Sequence, residues 1–398
     1  MSQILNRTKI IITVSIVVMI IFIGGTLLLD LIRPKLSTNE KNSKLERLVS
    51  GFTGNTKSVR SCALSVMKGD SSFSWSGAAG FSNQDSHAKM TKDTPVFLSS
   101  ITKLYTATAI MKLYEEGLLS LDDPMSKYLP QDLIRGIQVY NGKDYTNEIT
   151  IKELLAHSSG IADYYTEKSK DGKSLFELII ENPERHWTVD ETIVRARDEL
   201  KPHFRPGTGT FYSDTNFQLL GKIIEKITYK PLYIAYQELL FQPLALKHTF
   251  LIGGQVAPEN QTVVPADIYY NDKIITKTRF NGAYWADGGI ISTAEEMIIF
   301  LRALNEGKII NKNTLELMHD WHKMEFPIQY GYGTMYFKLP RLLSRLSKLT
   351  PLWGHSGSTG SYLYYSEDLN LYIAGSINVA GSNSKPFILI RKVMKLFN

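Results

Sequence analysis

Pro95-Val96-Phe97-Leu98-Ser99-Ser100-Ile101-Thr102-Lys103-Leu104-Tyr105 runs from a short apolar entry into a serine and, three residues on, a lysine. On a helix, positions i and i+3 share a face, so the Ser100 hydroxyl and the Lys103 ammonium are expected to be neighbours. A serine in the first turn also sits at the positive end of the helix dipole, among backbone N–H groups without a partner inside the helix. That location suits a nucleophile whose transition state gathers negative charge.

The spacing alone decides little, because S-x-x-K recurs at Ser65…Lys68, Ser86…Lys89 and Ser382…Lys385. Ser65 falls in a predicted strand, Ala63-Leu64-Ser65-Val66-Met67, where residues three apart point to opposite faces. Ser86 lies in a polar run without helical pattern, and Lys385 is followed directly by Pro386. Ser100 alone heads a long, largely apolar helix, predicted from Ile101 to about Glu116 and stopped by Gly117. Taken in isolation it reads better as a helix N-cap.

The 398 residues are 43% hydrophobic and 21% charged, a globular balance with length for more than one lobe. Net charge is +6 and the isoelectric point about 9.0. No basic cluster carries a nucleic-acid motif, so nucleic acid is not expected as a partner. The mild basicity fits a domain facing anionic membrane or cell-wall polymer. A single cysteine, Cys62, rules out an intramolecular disulfide; on an apolar strand it reads as a buried thiol. The eight histidines are scattered, with no C-x-x-C or H-E-x-x-H, and neither a metal nor another cofactor is expected.

Ile10 through Leu29 is an uncharged, mostly aliphatic run that matches the hydrocarbon thickness of a bilayer. A cleaved signal peptide competes with a retained anchor; the length of the run and the lack of an A-x-A site favour the anchor. The flanking charges (Arg7 and Lys9 before, Asp30, Arg33 and Lys35 after) are too balanced to set orientation. The expected organisation is an anchor with its flank over 1–31, a polar tether over 32–46, and one large domain over 47–398.

Within that domain, strands are predicted at both ends: Cys62–Met67 and Ser72–Ala78, then Gly331–Leu339, Leu352–Gly357, Ser361–Ser366 and Leu371–Val379. Helices are predicted between and after them, at Ile149–His157, Asp214–Thr228, Pro231–Leu240, Thr293–Asn305, Asn311–Trp321 and Ser384–Phe397. The expected fold class is α/β: an antiparallel β-sheet flanked by helices, from 47–125 and 275–398, with a mostly helical lobe inserted over 126–274. Within Pro340–Pro351, Leu342, Leu343, Leu346 and Leu349 fall at helical spacing among Arg341, Arg345 and Lys348. This segment reads as a surface helix over the sheet edge, with a membrane contact as the alternative.

Two further stretches answer Ser100: Thr210-Phe211-Tyr212-Ser213-Asp214-Thr215-Asn216-Phe217-Gln218-Leu219-Leu220-Gly221 and Trp353-Gly354-His355-Ser356-Gly357-Ser358-Thr359-Gly360-Ser361-Tyr362. In order and flanks, this set resembles the serine β-lactamase and penicillin-binding protein family, most of all class C β-lactamases, low-molecular-weight D,D-peptidases and their esterase relatives. Leu154-Leu155-Ala156-His157-Ser158-Ser159-Gly160-Ile161 resembles a further segment of that family, and the likeness extends over about 50–395. It implies that Ser100 forms an acyl-enzyme, with Lys103 and Tyr212 handling its proton. It also implies that His355, Ser356 and Gly357 line the substrate, His355 on its carboxylate or leaving group. The amide of Ser358 would join that of Ser100 as oxyanion hole. For His355 the plainer alternative is a strand histidine satisfied by a neighbour.

Asp214 departs from the family pattern, in which most relatives carry asparagine. A carboxylate accepts but does not donate. Pointed at Lys103, it would hold the lysine charged, shift the resting base to Tyr212 and disfavour substrates that place a carbonyl oxygen there, β-lactams included. The plainer role for Asp214 is to cap the following helix. The resemblance thus implies an acyl-serine hydrolase acting on D-amino-acid-containing peptides, amides or esters, such as cell-wall material; with the apolar run 10–29 read as an anchor, the domain is expected to be membrane-anchored and extracytoplasmic. The alternatives are a carboxylesterase with the same groups and a penicillin-recognising or scaffolding protein that acylates slowly.

Overall fold

The computed structural model describes residues 36–54, 59–252, 264–280, 282–340, 344, 349–382 and 384–398. The apolar run 10–29 and residues 341–343 and 345–348 of the basic amphipathic segment lie outside them. Among the described residues, no helix is long and apolar enough to cross a membrane. Lys44–Asn398 forms one compact unit, and Met1–Ser43 belongs to another. Within the polar segment 32–46, a helix, α1 (Thr38–Gly54), begins. Ser37 and Glu40 close its N-terminus reciprocally: the Glu40 amide donates to Ser37 Oγ, and the Ser37 amide to the Glu40 carboxylate. The polar residues of the segment therefore form a capping box.

The unit is built on a nine-stranded antiparallel sheet. Its strands in chain order are β1 (Ser61–Lys68), β2 (Ser74–Asn83), β3 (Ala88–Lys89), β4 (His322–Lys323), β5 (Ile328–Tyr330), β6 (Met335–Phe337), β7 (Leu352–Ser356), β8 (Ser361–Ser366) and β9 (Leu371–Ser376). Their spatial order is β4-β5-β6-β7-β8-β9-β1-β2-β3, so the two ends of the chain meet where β9 pairs with β1, Ala63 opposite Ser376. One long strand over Gly331–Leu339 does not form. The left-handed Gly333 turns the chain, and β5 and β6 make a hairpin.

Alternation along β1 divides the core. Cys62, Leu64 and Val66 face one side, under Leu45, Val49 and Phe52 of α1 and Leu389, Ile390 and Val393 of a C-terminal helix, Ser384–Met394. Ala63, with Leu363 of β8 and Ala374 of β9, faces the opposite side. There the sheet meets the buried helix α2 (Thr102–Glu115) and a second helix, Ala294–Asn305. Each fully buried Leu, Ile or Phe contributes roughly 1.5–3 kcal/mol, so both faces hold the sheet rigidly. Burial on β1 also pushes the Cys62 thiol up to about 12, as befits an unreactive packing group.

Between the two sets of strands the chain is mostly helical. Helix α3 (Ile151–Leu155) starts at a Thr150–Glu153 capping box, and α4 (Asp214–Thr228) packs against both α2 and α3. These contacts bring the helical segment over the N-terminus of α2.

Candidate active site

The chain reaches the head of α2 through a strained turn. Ser99 has φ of +48°, a conformation that costs a non-glycine residue about 1–3 kcal/mol and persists only when the surroundings enforce it. They come from the β7–β8 connection. Thr359 Oγ1 donates to Phe97 O at 3.0 Å, and Ser99 Oγ lies 3.0 Å from Thr359 Oγ1. Ser361 Oγ donates to Leu98 O at 2.8 Å. A Cβ on Gly357 would stand 2.2 Å from Leu98 O, so only glycine lets the two segments approach this closely. Ser99–Ile101 then forms a 3-10 turn that runs into α2, leaving Ser100 half-buried.

Lys103 lies one turn further and is completely buried. Its Nζ reaches three oxygens: Asp287 O at 2.8 Å, Ser100 Oγ at 3.3 Å and Asp214 Oδ1 at 2.5 Å. It donates hydrogen bonds to the first two, while Asp214 Oδ1, which makes no aligned hydrogen bond, is held as an ion pair. Gly333, the turn between β5 and β6, packs under this helix: a Cβ there would stand 2.3 Å from Ala107 Cβ and 2.8 Å from Lys103 O. Burial is the strongest influence on Lys103 and favours the neutral amine, but the charges of Asp214 and Asp287 together outweigh it and raise its pKa.

Asp214 is not the helix cap. Ser213 occupies that position, and Asp214, in the first turn of α4, directs its carboxylate at Lys103. It belongs to a group of buried acids. Asp163 Oδ1 accepts the Asp214 amide at 2.9 Å, and its Oδ2 accepts from Thr166. Asp287 takes the Tyr164 hydroxyl at 2.7 Å and the Trp285 amide at 3.1 Å. Burial, reinforced by the charge of Asp214, pushes Asp163 up to about 7 and Asp287 up to about 6, the latter against the pull of Lys103.

Tyr212 immediately precedes the Ser213 cap of α4. Lys103 Nζ stands 5.1 Å from the centre of its ring. Its hydroxyl is buried with no aligned hydrogen bond, although the Ser100 hydroxyl beside it draws its pKa down. That pull is outweighed. Burial first, and then the charge of Asp214, raise the phenol well above its ordinary value. The carboxylate expected to hand the resting base role to Tyr212 thus has the opposite effect, because an anion nearby stabilises the protonated phenol.

His355 has no exposed surface. Its Nδ1 lies 2.7 Å from Ser356 O, a carbonyl that can only accept, so the proton sits on Nδ1. Its Nε2 then accepts from the Tyr330 hydroxyl at 3.0 Å. Burial and the charge of Lys103 push it down to about 3, which leaves it neutral. The substrate-facing position expected for it corresponds instead to a strand histidine satisfied by Tyr330. Ser356 Oγ pairs with the Tyr364 hydroxyl at 2.6 Å, Gly357 lies against Leu98, and Ser358 is exposed at the turn after β7.

The structure therefore brings Ser100, Lys103, Tyr212 and Asp214 together and sets the 355–358 segment beside them. Four participants had no assigned role in the sequence: Asp163, Asp287, Tyr330 and His157. For His157 a signal existed in the 154–161 segment; Asp287 and Tyr330 sit among glycines in Asp287-Gly288-Gly289 and Tyr330-Gly331-Tyr332-Gly333, with nothing local to mark them. Among the described residues, no group of three or more His, Cys, Asp or Glu is arranged to hold a metal ion.

A family model described as Beta-lactamase matches residues 45–395. The chain is 32% identical over 204 residues to Protein flp of Staphylococcus aureus strain MW2, which covers 51% of this chain and 37% of that protein. It thus spans well under half the length of the first curated relatives it matches. It is 25% identical over 352 residues to a Teichoic acid D-alanine hydrolase of Staphylococcus aureus, covering 87% of this chain and 76% of that protein. Among solved structures, a D-stereospecific amidohydrolase from Streptomyces sp. superposes with a TM-score of 0.69 at 28% identity, over 89% of this chain and 98% of that one.

Proposed function

The chain belongs to the Beta-lactamase family, and we propose that it is an acyl-serine hydrolase that releases D-amino acyl groups from esters or amides, held at the cell surface by residues 10–29. The observation that carries the reading is the line from Ser100 Oγ through Lys103 Nζ at 3.3 Å to Asp214 Oδ1 at 2.5 Å.

With Lys103 held as an ammonium and Tyr212 as a phenol, neither is a free base at rest. The proton has a route nonetheless. As Ser100 Oγ bonds to the substrate carbonyl carbon, Lys103 passes a proton to Asp214 and takes the serine proton in its place. The Tyr212 phenol donates its proton to the leaving oxygen or nitrogen. Asp214 then returns a proton through Lys103 to the phenolate, so the leaving group carries away the equivalent of the serine proton. Water enters the acyl-enzyme by the same route, and Ser100 recovers its proton. The developing oxyanion meets the head of α2, where the Ser100 amide, with that of Ser358, supplies donors.

The surroundings support an aminoacyl substrate. A neutral His355 offers no cation to a substrate carboxylate, which suits a substrate that lacks one, such as an aminoacyl ester or amide. The relatives named for D-alanine hydrolysis and D-stereospecific amide hydrolysis support the same class. The test is release of D-alanine from an O-D-alanyl ester by the full chain, set against L-alanyl and N-acetyl-D-alanyl esters and a fluorescent penicillin. D-Alanyl turnover that Ser100→Ala abolishes is expected. Turnover surviving in Ser100→Ala would reject the nucleophile, and a penicillin label without turnover of any ester would select the slow-acylating alternative.

A further inference from the structure

His157 is an unusual residue for a packed core. It adopts φ of +56°, it is completely buried, and its Nε2 has no hydrogen-bond partner. An unsatisfied buried donor costs about 1–3 kcal/mol, so the rest of the residue has to account for its presence. Its other polar atoms do. The His157 carbonyl accepts the Phe211 amide at 2.9 Å, and its Nδ1 accepts the Ser213 amide at 3.1 Å. Both amides flank Tyr212, whose ring packs on the imidazole at 4.3 Å between centres.

The tautomer follows from these partners. A backbone amide can only donate, so Nδ1 is the acceptor and the proton sits on Nε2. Asn216 Nδ2 lies 3.1 Å from the same Nδ1, with its amide orientation set by Ser159, whose hydroxyl donates to Asn216 Oδ1 at 2.7 Å. Tyr330 closes the far side, its ring 4.6 Å from the imidazole. A protonated ring could not accept at Nδ1. Burial and the charge of Lys103 keep His157 neutral, so the grip persists in acid.

We propose that His157 is a positioning residue for Tyr212: it holds the backbone on either side of the phenol and one face of its ring, and so fixes the hydroxyl against Ser100. Tyr212 leans on no hydrogen bond of its own, so its placement has to come from its backbone and ring contacts. The left-handed backbone of His157 is what lets one residue present its carbonyl and its side chain to two amides two positions apart. The inference rests on the role given to Tyr212 above.

Two substitutions separate the acceptor from backbone strain, because glycine and asparagine both tolerate a positive φ. His157→Gly removes the side-chain acceptor, and His157→Asn restores one. In the full chain, His157→Gly should lower kcat for the D-alanyl ester by about 10²-fold, the typical cost of a catalytic group displaced by roughly 1 Å, with KM near the wild-type value. His157→Asn should recover much of that loss. In a Tyr212→Phe background, His157→Gly should cost nothing further, since the two act as one unit. Hydrogen–deuterium exchange supplies a readout that needs no activity: the 211–214 amides should lose protection in His157→Gly and regain it in His157→Asn, with β1 unchanged. Should His157→Gly also lose protection across β1, His157→Ser, whose hydroxyl is too short to reach Ser213, takes its place. Wild-type kcat and protection in the acceptor-less variant, or additive losses with Tyr212→Phe, would overturn the proposal. Ester turnover surviving in Ser100→Ala would instead undo the assignment beneath it, and the exchange data would still decide whether His157 holds the segment.

Discussion

Replacing Asp214 by asparagine tests the proton route most directly. The side chains are nearly isosteric, so the change removes an anion 2.5 Å from Lys103 Nζ and leaves the ammonium its contacts to Asp287 O and Ser100 Oγ. An amide cannot take the proton, so Lys103 must itself be neutral before it can accept from Ser100. The rate then acquires a limb that rises tenfold per pH unit up to the lysine pKa. That pKa falls when Asp214 goes, because an anion stabilises the ammonium and burial opposes it; the remaining charge of Asp287 limits the fall. An ordinary lysine near 10.4 would leave about one molecule in 10³ neutral at pH 7, which bounds the loss. A loss of roughly 10²–10³-fold in kcat/KM at neutral pH is therefore expected, recovering with unit slope toward alkaline pH. The assay is kcat/KM for a D-alanyl ester from pH 5 to 10, each point corrected for spontaneous ester hydrolysis. An unchanged, flat profile would refute the relay. A faster enzyme at pH 7 would mean that Asp214 merely restrains a lysine that is otherwise the base.

Asp163→Asn addresses the buried acids through stability. Asp163 is raised from 3.8 to about 7, so the folded state holds its proton more tightly than the unfolded chain does. Wild-type stability from this group is therefore full below the unfolded value and is lost as pH rises toward 7, by at most about 4 kcal/mol at 1.36 kcal/mol per unit. Urea unfolding at pH 4 and pH 8 should show the variant gaining on wild type as pH rises; a constant difference would count against the shift. Tyr330→Phe strands the buried Nε2 of His355 and should cost about 1–3 kcal/mol in the same assay. Gly357→Ala sets a methyl 2.2 Å from Leu98 O, so it should push the β7–β8 connection off the nucleophile turn and cut acylation by fluorescent penicillin or ester while the sheet still folds. Detergent-dependent extraction of the full chain, lost on deleting residues 10–29, is the outcome expected of an anchor.

Much of the fold is legible locally because its signals are local. Ser361–Ser366 forms as a strand with the predicted bounds, and Asp214–Thr228 as a helix with the predicted bounds, since periodicity and breakers lie within each segment. Errors fall where a short-range signal has two readings. Polar residues over 32–46 carry no helical signal of their own beyond Ser37 and Glu40, which are a helix start. Gly331–Leu339 reads as a single strand, yet Gly333 sits against α2 and turns the chain into a hairpin.

The same division holds at the site. Sequence alone determined that Ser100 and Lys103 share a helical face, that Tyr212 and the 355–358 segment answer them, and that a carboxylate occupies position 214. The first and last need only spacing and side-chain type, while the pairing with Tyr212 and the 355–358 segment is what the family resemblance implies. The charge state of the site was decided by tertiary structure, because a pKa depends on burial and on every charge within a few ångströms, whatever its distance along the chain. Burial first, then Asp214, with Asp163 and Asp287 drawn beside it from separate segments, raises the phenol that was expected to serve as the resting base. Folding also buried His355 against Tyr330 and turned His157 onto the backbone of Tyr212, since hydrogen-bond partners are chosen by packing and not by neighbours in the sequence.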